Sequence, residues 1–167
     1  MFRKIADFEL AWTSHVDATM KMFSAITDDS LSQAVADNHR TIGRIAWHIV
    51  TAIPEVMTHA GLEVESVSKN APLPRKISEI QEGYKNATAE LLGKIKSEWD
   101  DAKLSNVVDF YGEKWELGRA LYILVIHEVH HRGQLTVLMR QAGLSVPGVY
   151  GPSKEEWAGY GMVSPEI

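Results

Sequence analysis

The chain has 167 residues, 45% apolar and 23% charged, which is enough for one domain with a sizeable core and too short for two. Its net charge of −5 leaves no excess of Lys and Arg to neutralise phosphates, which argues against a nucleic-acid partner. With no cysteine, disulfides, thiolate ligands and a cysteine nucleophile are excluded, and any metal must be held by His and carboxylate.

Taken in chain order, Ile5, Phe8, Trp12, Val16, Met20 and Phe23 recur at steps of three and four. That spacing predicts an amphipathic helix over 2–26, ended by Thr27-Asp28-Asp29. Ser30-Leu31-Ser32-Gln33 reads as a capping box for a short turn. A second helix is expected from near Thr41 towards Gly61, carrying Ile45, His48, Ile49, Ala52 and Val56, with a kink or solvated break at Pro54. Residues 62–76 show no period, and Pro72 and Pro74 stiffen the end of the stretch. They read as a connection long enough to cross the molecule, so helices two and three are not expected to be simple hairpin neighbours.

Ser78-Glu79-Ile80-Gln81 opens a third helix, with Ile80, Tyr84, Ala87, Leu91 and Ile95 on its inner face, ending near Leu104. Residues 107–115 suit a short extended turn or hairpin. The fourth helix is expected from Glu116 to Gln141, closed by Gly143, with Leu121 to Ile126 buried on most of its circumference. The tail, rich in Gly and Pro, is expected to be irregular apart from one turn at 153–157. Four helices and almost no strand signal predict an all-α four-helix bundle forming a single domain over 1–167. No stretch approaches the ~20 apolar residues of a membrane span, and charges interrupt residues 1–7 where a signal peptide is apolar. A cytoplasmic protein without a membrane partner is the expectation.

Function points to His127-Glu128-Val129-His130-His131-Arg132-Gly133-Gln134. Residues four apart share a helix face, so His127 and His131 stand one turn, ~5.4 Å, apart and can share a metal ion. Two histidines make a poor site, and His48, on the side of Ile45 and Ala52, is the best third ligand. Its competing reading is a hydrogen-bonded core histidine. His130 points about 100° away from His131. It suits a supporting, packing or exposed role. His15, His39 and His59 read as surface residues, and Arg132 as a salt-bridging one. Gln134 lies close enough to orient a ligand or substrate; it and Glu128 are the candidate catalytic side chains. His127-Glu128-x-x-His131 formally matches the zinc-protease helix motif, with Glu128 as base. The longer form of that motif needs glycine at 134 and histidine at 137; this chain has Gln134 and Val137, and lacks strands to present a peptide. A protease is therefore not expected. Trp12, Trp47 and Tyr111 are read as core packing.

Gly43-Arg44-Ile45-Ala46-Trp47-His48, the run His127 to Gln134, then Arg140, Gly143, Pro147, Tyr150-Gly151-Pro152-Ser153 and Trp157 together resemble the DinB-like (damage-inducible) family. That resemblance implies a bundle in up-down-down-up order, with a long crossover between helices two and three. It also implies a divalent metal, zinc or nickel, on His48, His127 and His131. Relatives include transferases of low-molecular-weight thiols and an isomerase of a thiol adduct, and homodimers are common. The expectation is transfer of a small-molecule thiol to an electrophile. Alternatives are a metal-dependent hydrolase on the same site, since bound water also loses its proton near neutrality, and a non-catalytic metal-binding stress-response protein.

Overall fold

The computed structural model, described for residues 1–166, is built on four helices: α1 (Ile5–Ser24), α2 (Ile42–His59), α3 (Ile77–Glu98) and α4 (Leu117–Gln141). A two-stranded antiparallel hairpin, β1 (Val107–Phe110) and β2 (Glu113–Glu116), lies between α3 and α4. Each of α1 and α2 packs against both α3 and α4. Glu9 meets Lys96, the Trp12 indole meets the Thr88 carbonyl and Phe23 meets Tyr84, so α1 and α3 run in opposite directions. Phe2 bonds to Gly118 and Thr19 to Glu128, so α1 and α4 run in the same direction.

The apolar periods become the core. Phe8, Trp12 and Phe23 of α1 are buried with Ile45, Ile49 and Ile53 of α2. Ile80, Tyr84, Ala87, Leu91 and Ile95 of α3 are all fully buried against them. Burying each large apolar side chain contributes about 1.5–3 kcal/mol, more than any local propensity in these helices. Residues 60–76 link α2 to α3 and seat Leu62, Val64 and Val67 in the same core. The two helices joined by that long link nonetheless pack directly on one another, with Gly83 against the Trp47 ring.

Several expectations need correction. No solvated break occurs at Pro54: α2 is continuous through it, and Pro54 is buried between Ile53 and Met57, where packing outweighs the lost amide bond. The capping box is Thr27 with Ser30, three residues earlier than expected, and serves a 3-10 turn over Asp28–Ser32. Helix α3 stops at Glu98 because Trp99 turns extended, and a separate 3-10 turn spans Ala102–Ser105. In α4, Tyr122 and Ile126 are exposed, so Leu121 to Ile126 is buried on one side only.

Residues 107–116 do form a hairpin. Tyr111 and Gly112 occupy its two-residue turn with φ of 54° and 86°, the paired positive values that suit strand twist. Tyr111 is therefore exposed at the tip rather than packed in the core. Gly143 closes α4 with φ of 74°, while its amide bonds to Arg140 and that of Leu144 to Met139. The tail's one helical turn falls at Trp157–Tyr160.

Candidate metal centre

Thr41 starts α2 by accepting the Arg44 amide proton on its Oγ1 at 3.1 Å, and this sets the phase that aims His48 at α4. Buried Ile45, Ile49 and Ala52 hold that face in place. On α4, Leu124, Leu135 and Leu138 anchor the turns that carry His127 and His131. The three imidazoles converge: one ring nitrogen from each of His48, His127 and His131 lies within 4.8 Å of the others. His127 Nε2 and His131 Nε2 face each other at 3.0 Å. Two bare lone pairs at that distance repel, so the gap suits a shared proton or a cation.

Burial, together with the charge of the neighbouring histidines, lowers His48 and His127 to about 4. Arg40 and Arg44 add to the effect on His48. Burial also lowers His131, although its hydrogen bond to Gln134 works the other way. All three are thus neutral at pH 7, the form that binds metal.

Gln134 Oε1 accepts the His131 Nδ1 proton at 2.7 Å, and its amide nitrogen donates to His130 Nε2 at 3.1 Å. That chain leaves the lone pair of His131 Nε2 directed into the cluster. The donor set fits a divalent metal. A tetrahedron with bonds of about 2.0–2.1 Å has edges of about 3.3 Å, close to the observed His127–His131 spacing. His127 Nδ1 is buried without a hydrogen-bond partner, a cost accepted in holding the ring where it is.

Glu128 is not brought to this cluster. It is fully buried on the side of α4 that faces α1 and α3, where its Oε2 accepts from Tyr84 Oη at 2.8 Å and Thr19 Oγ1 at 3.2 Å. Burial pushes its carboxyl up to about 7, against the pull of Tyr84, Arg132 and Thr19. Arg132 is buried too, and its partners are not carboxylates. It donates to Thr19 Oγ1 at 2.9 Å, to the His15 carbonyl at 3.0 Å, to His15 Nδ1 at 2.8 Å and to the Tyr150 hydroxyl. The salt-bridging role expected for Arg132 is thus replaced by hydrogen bonding.

His15 is half-buried in this network rather than on the surface. His59, also half-buried, lies 4.2 Å from the Tyr111 ring, measured between centroids. His39 is exposed, as expected, at the rim of a cleft of about 520 Å³. Val35, Arg40, Ile45, His130, His131, Gln134 and Leu138 also line this cleft. Val35 and Arg40 were invisible to sequence reasoning because they sit in an aperiodic loop. Glu128 and Arg132, by contrast, share the same i,i+4 spacing as the histidine pair, a signal that was available.

Comparisons with known proteins identify the family and the fold. A family model described as the DinB family matches residues 1–166. The chain belongs to the DinB family. It is 40% identical to the uncharacterized protein YrdA of Bacillus subtilis over 167 residues, covering 100% of both chains. It is 26% identical to the uncharacterized protein YjoA of the same organism over 138 residues, covering 78% of this chain and 85% of that one. A crystal structure of a DinB-like protein from Bacillus cereus superposes with a TM-score of 0.86 at 45% identity, over 90% of this chain and 100% of that one. The Bacillus subtilis YjoA structure shares the fold, with a TM-score of 0.67 at 19% identity, over 86% of this chain and 97% of that one.

The family and its four-helix architecture are therefore those the sequence motifs pointed to. No helix among the described residues is long and apolar enough to cross a membrane.

Proposed function

We propose that this DinB-family protein is a metal-dependent transferase that joins a low-molecular-weight thiol to an electrophilic substrate at His48, His127 and His131. The observation that carries the reading is the convergence of three neutral imidazoles, one of which, His131, also forms the wall of an open cleft. His48, His127 and His131 would hold a zinc or nickel ion, which would supply the Lewis acidity that makes a thiol lose its proton. The chain's own part is positioning. Gln134 fixes the His131 ring, and His130 fixes the Gln134 amide. Ile45 and Leu138 give the cleft an apolar wall that limits water at the histidines. Glu128, turned into the core, is not at hand as a base, so a route that deprotonates the thiol without it suits this site.

The test is metal content by elemental mass spectrometry on tag-free protein, beside His48→Ala and His131→Ala, followed by single-turnover assays of thiols against an electrophile panel. About one metal per chain, lost in both variants, with metal-dependent consumption of thiol and electrophile together, is the expected result. Metal-dependent consumption of the electrophile without loss of thiol would replace transfer by hydrolysis. Metal binding with no turnover of any pair would leave a binding protein, and no metal after incubation with zinc, nickel and manganese would remove the site altogether.

A further inference from the structure

The cleft beside the histidines has a charge character unlike that of the rest of the molecule. The chain carries 22 acidic and 17 basic residues, yet no carboxylate lines this cleft. Its polar wall consists of His39, Arg40, His130, His131 and Gln134, and Arg40 is the one permanently charged side chain among them. Like Arg44, Arg75 and Arg132, and unlike Arg3, Arg119 and Arg140, Arg40 makes no ion pair among the described residues, and of these four it is the one that lines the cleft. The remaining wall is apolar: Val35 and Ile45 on one side, Val137 and Leu138 on the other. Val35 and Val137 are each 53% exposed, so the apolar surface continues out to the rim.

We propose that this cleft binds a small amphipathic carboxylate, with its head group on Arg40 and its apolar body between Ile45, Val137 and Leu138. A volume of about 520 Å³ lies within the range of small-molecule sites, which combine apolar walls with a few placed polar groups. An unpaired guanidinium in such a wall offers a carboxylate two parallel hydrogen bonds as well as charge. An ammonium head would meet Arg40 with no acid to offset it, and a neutral head would leave the guanidinium without a partner. Because His131 belongs to both the cleft and the histidine cluster, a molecule held here lies beside the proposed reacting position. Calling the occupant a reactant rests on the proposed transferase reading; the binding itself does not.

The experiment is titration of methyl-labelled protein with hexanoate, hexylamine and hexanol, followed by NMR, first with metal loaded and then after chelator treatment. Hexanoate is expected to shift the Ile45, Val137 and Leu138 methyls saturably in both forms. Its affinity should fall roughly tenfold in Arg40→Gln and recover only in part in Arg40→Lys, which restores the charge but not the paired hydrogen bonds, with hexylamine and hexanol at least as weak as hexanoate on Arg40→Gln. Arg40 is exposed, so both variants should keep the fold, and their melting curves check this.

Three results would overturn the proposal. One is an absence of saturable methyl shifts with hexanoate. A second is hexylamine or hexanol binding as well as hexanoate. The third is hexanoate binding that is lost with the metal but indifferent to Arg40→Gln, which would place the carboxylate on the metal. Hexanoate bound through Arg40 in a protein with no thiol-transfer activity would sink the transferase reading and leave this site standing. Metal-dependent transfer without hexanoate binding would do the reverse.

Discussion

Two sides of α4 carry pairs of ionisable residues at the same four-residue spacing, and they have opposite fates. His127 and His131 face α2 and an open cleft, and gather with His48 around a space that fits a cation. Glu128 and Arg132, each one residue further on, face α1 and α3 and are almost wholly enclosed. Their hydrogen bonds run Arg132 to Thr19, Thr19 to Glu128 and Tyr84 to Glu128, with His15 and Tyr150 closing the outer end. The first side leaves its capacity to bind something unspent. The second uses most of its polar capacity internally, although Glu128 Oε1 is left without a partner, so its contribution is to stability. A helix thus separates a ligand face from a structural face by a rotation of about 100°, and a pattern that mixes the two in one string does not by itself say which is which.

That division makes its strongest prediction on the buried side. Arg132→Met should cost about 3–5 kcal/mol, because it leaves the Thr19 hydroxyl, the His15 carbonyl and His15 Nδ1 without their donor and removes the charge that favours the enclosed Glu128 carboxylate. The loss, read from urea unfolding, should be the same with and without zinc. His48→Ala in chelator-treated protein should cost only about 1 kcal/mol. If the two variants cost the same in metal-free protein, the contrast between the faces disappears.

Adding metal closes most of the gap between the two variants. Zinc at a hundredfold excess over its dissociation constant should stabilise the wild type by about 2.7 kcal/mol, and His48→Ala by almost nothing. Thermal unfolding with and without chelator measures this. A similar gain in Arg132→Met, on its lower baseline, would show that the two faces act independently. The supporting bond from Gln134 to His131 predicts a smaller change: Gln134→Leu should weaken metal binding about 10–100-fold without altering metal-free stability. Competition against a chromogenic chelator would read the affinity, and an unchanged affinity would remove Gln134 from the site.

The same contrast explains what could be read from the residues alone. The helices were legible because Ile5, Phe8 and Trp12, or Ile80, Tyr84 and Leu91, repeat with the period of a buried face. The three histidines were legible because two share a helix and the third lies on an apolar face of another. What stayed hidden depends on distance in space rather than along the chain. Arg132 reaches His15 across 117 positions, and no local pattern links them. Pro54 suggested a solvated break that does not occur, since its local penalty says nothing of the core packed around it. Tyr111 misled for the opposite reason: an aromatic ring suggests burial, but the turn it occupies is chosen by backbone twist.

The smallest effect expected concerns pH, and it isolates the outer end of the buried network. Burial and the adjacent Arg132 charge lower His15 from 6.5 to about 4. In the fold its Nδ1 accepts from Arg132, so a proton there would confront the guanidinium. Between pH 6.5 and 4 the unfolded chain therefore binds more protons at this residue than the folded one does. Its contribution to stability is complete above about 6.5, declines as pH falls through that window, and is gone near 4. One half-exposed histidine can add at most about 1.4 kcal/mol per pH unit to the slope, and solvent screening should keep it well below that. His15→Gln retains an acceptor for Arg132 but cannot titrate. The histidine cluster contributes equally to both proteins, so the difference between their stability curves reports His15 alone. The wild-type curve should fall more steeply than that of His15→Gln from pH 6.5 to 4 and run parallel to it above 7. Parallel curves throughout would show that Arg132 does not hold His15 neutral, and the buried face would then end at Thr19.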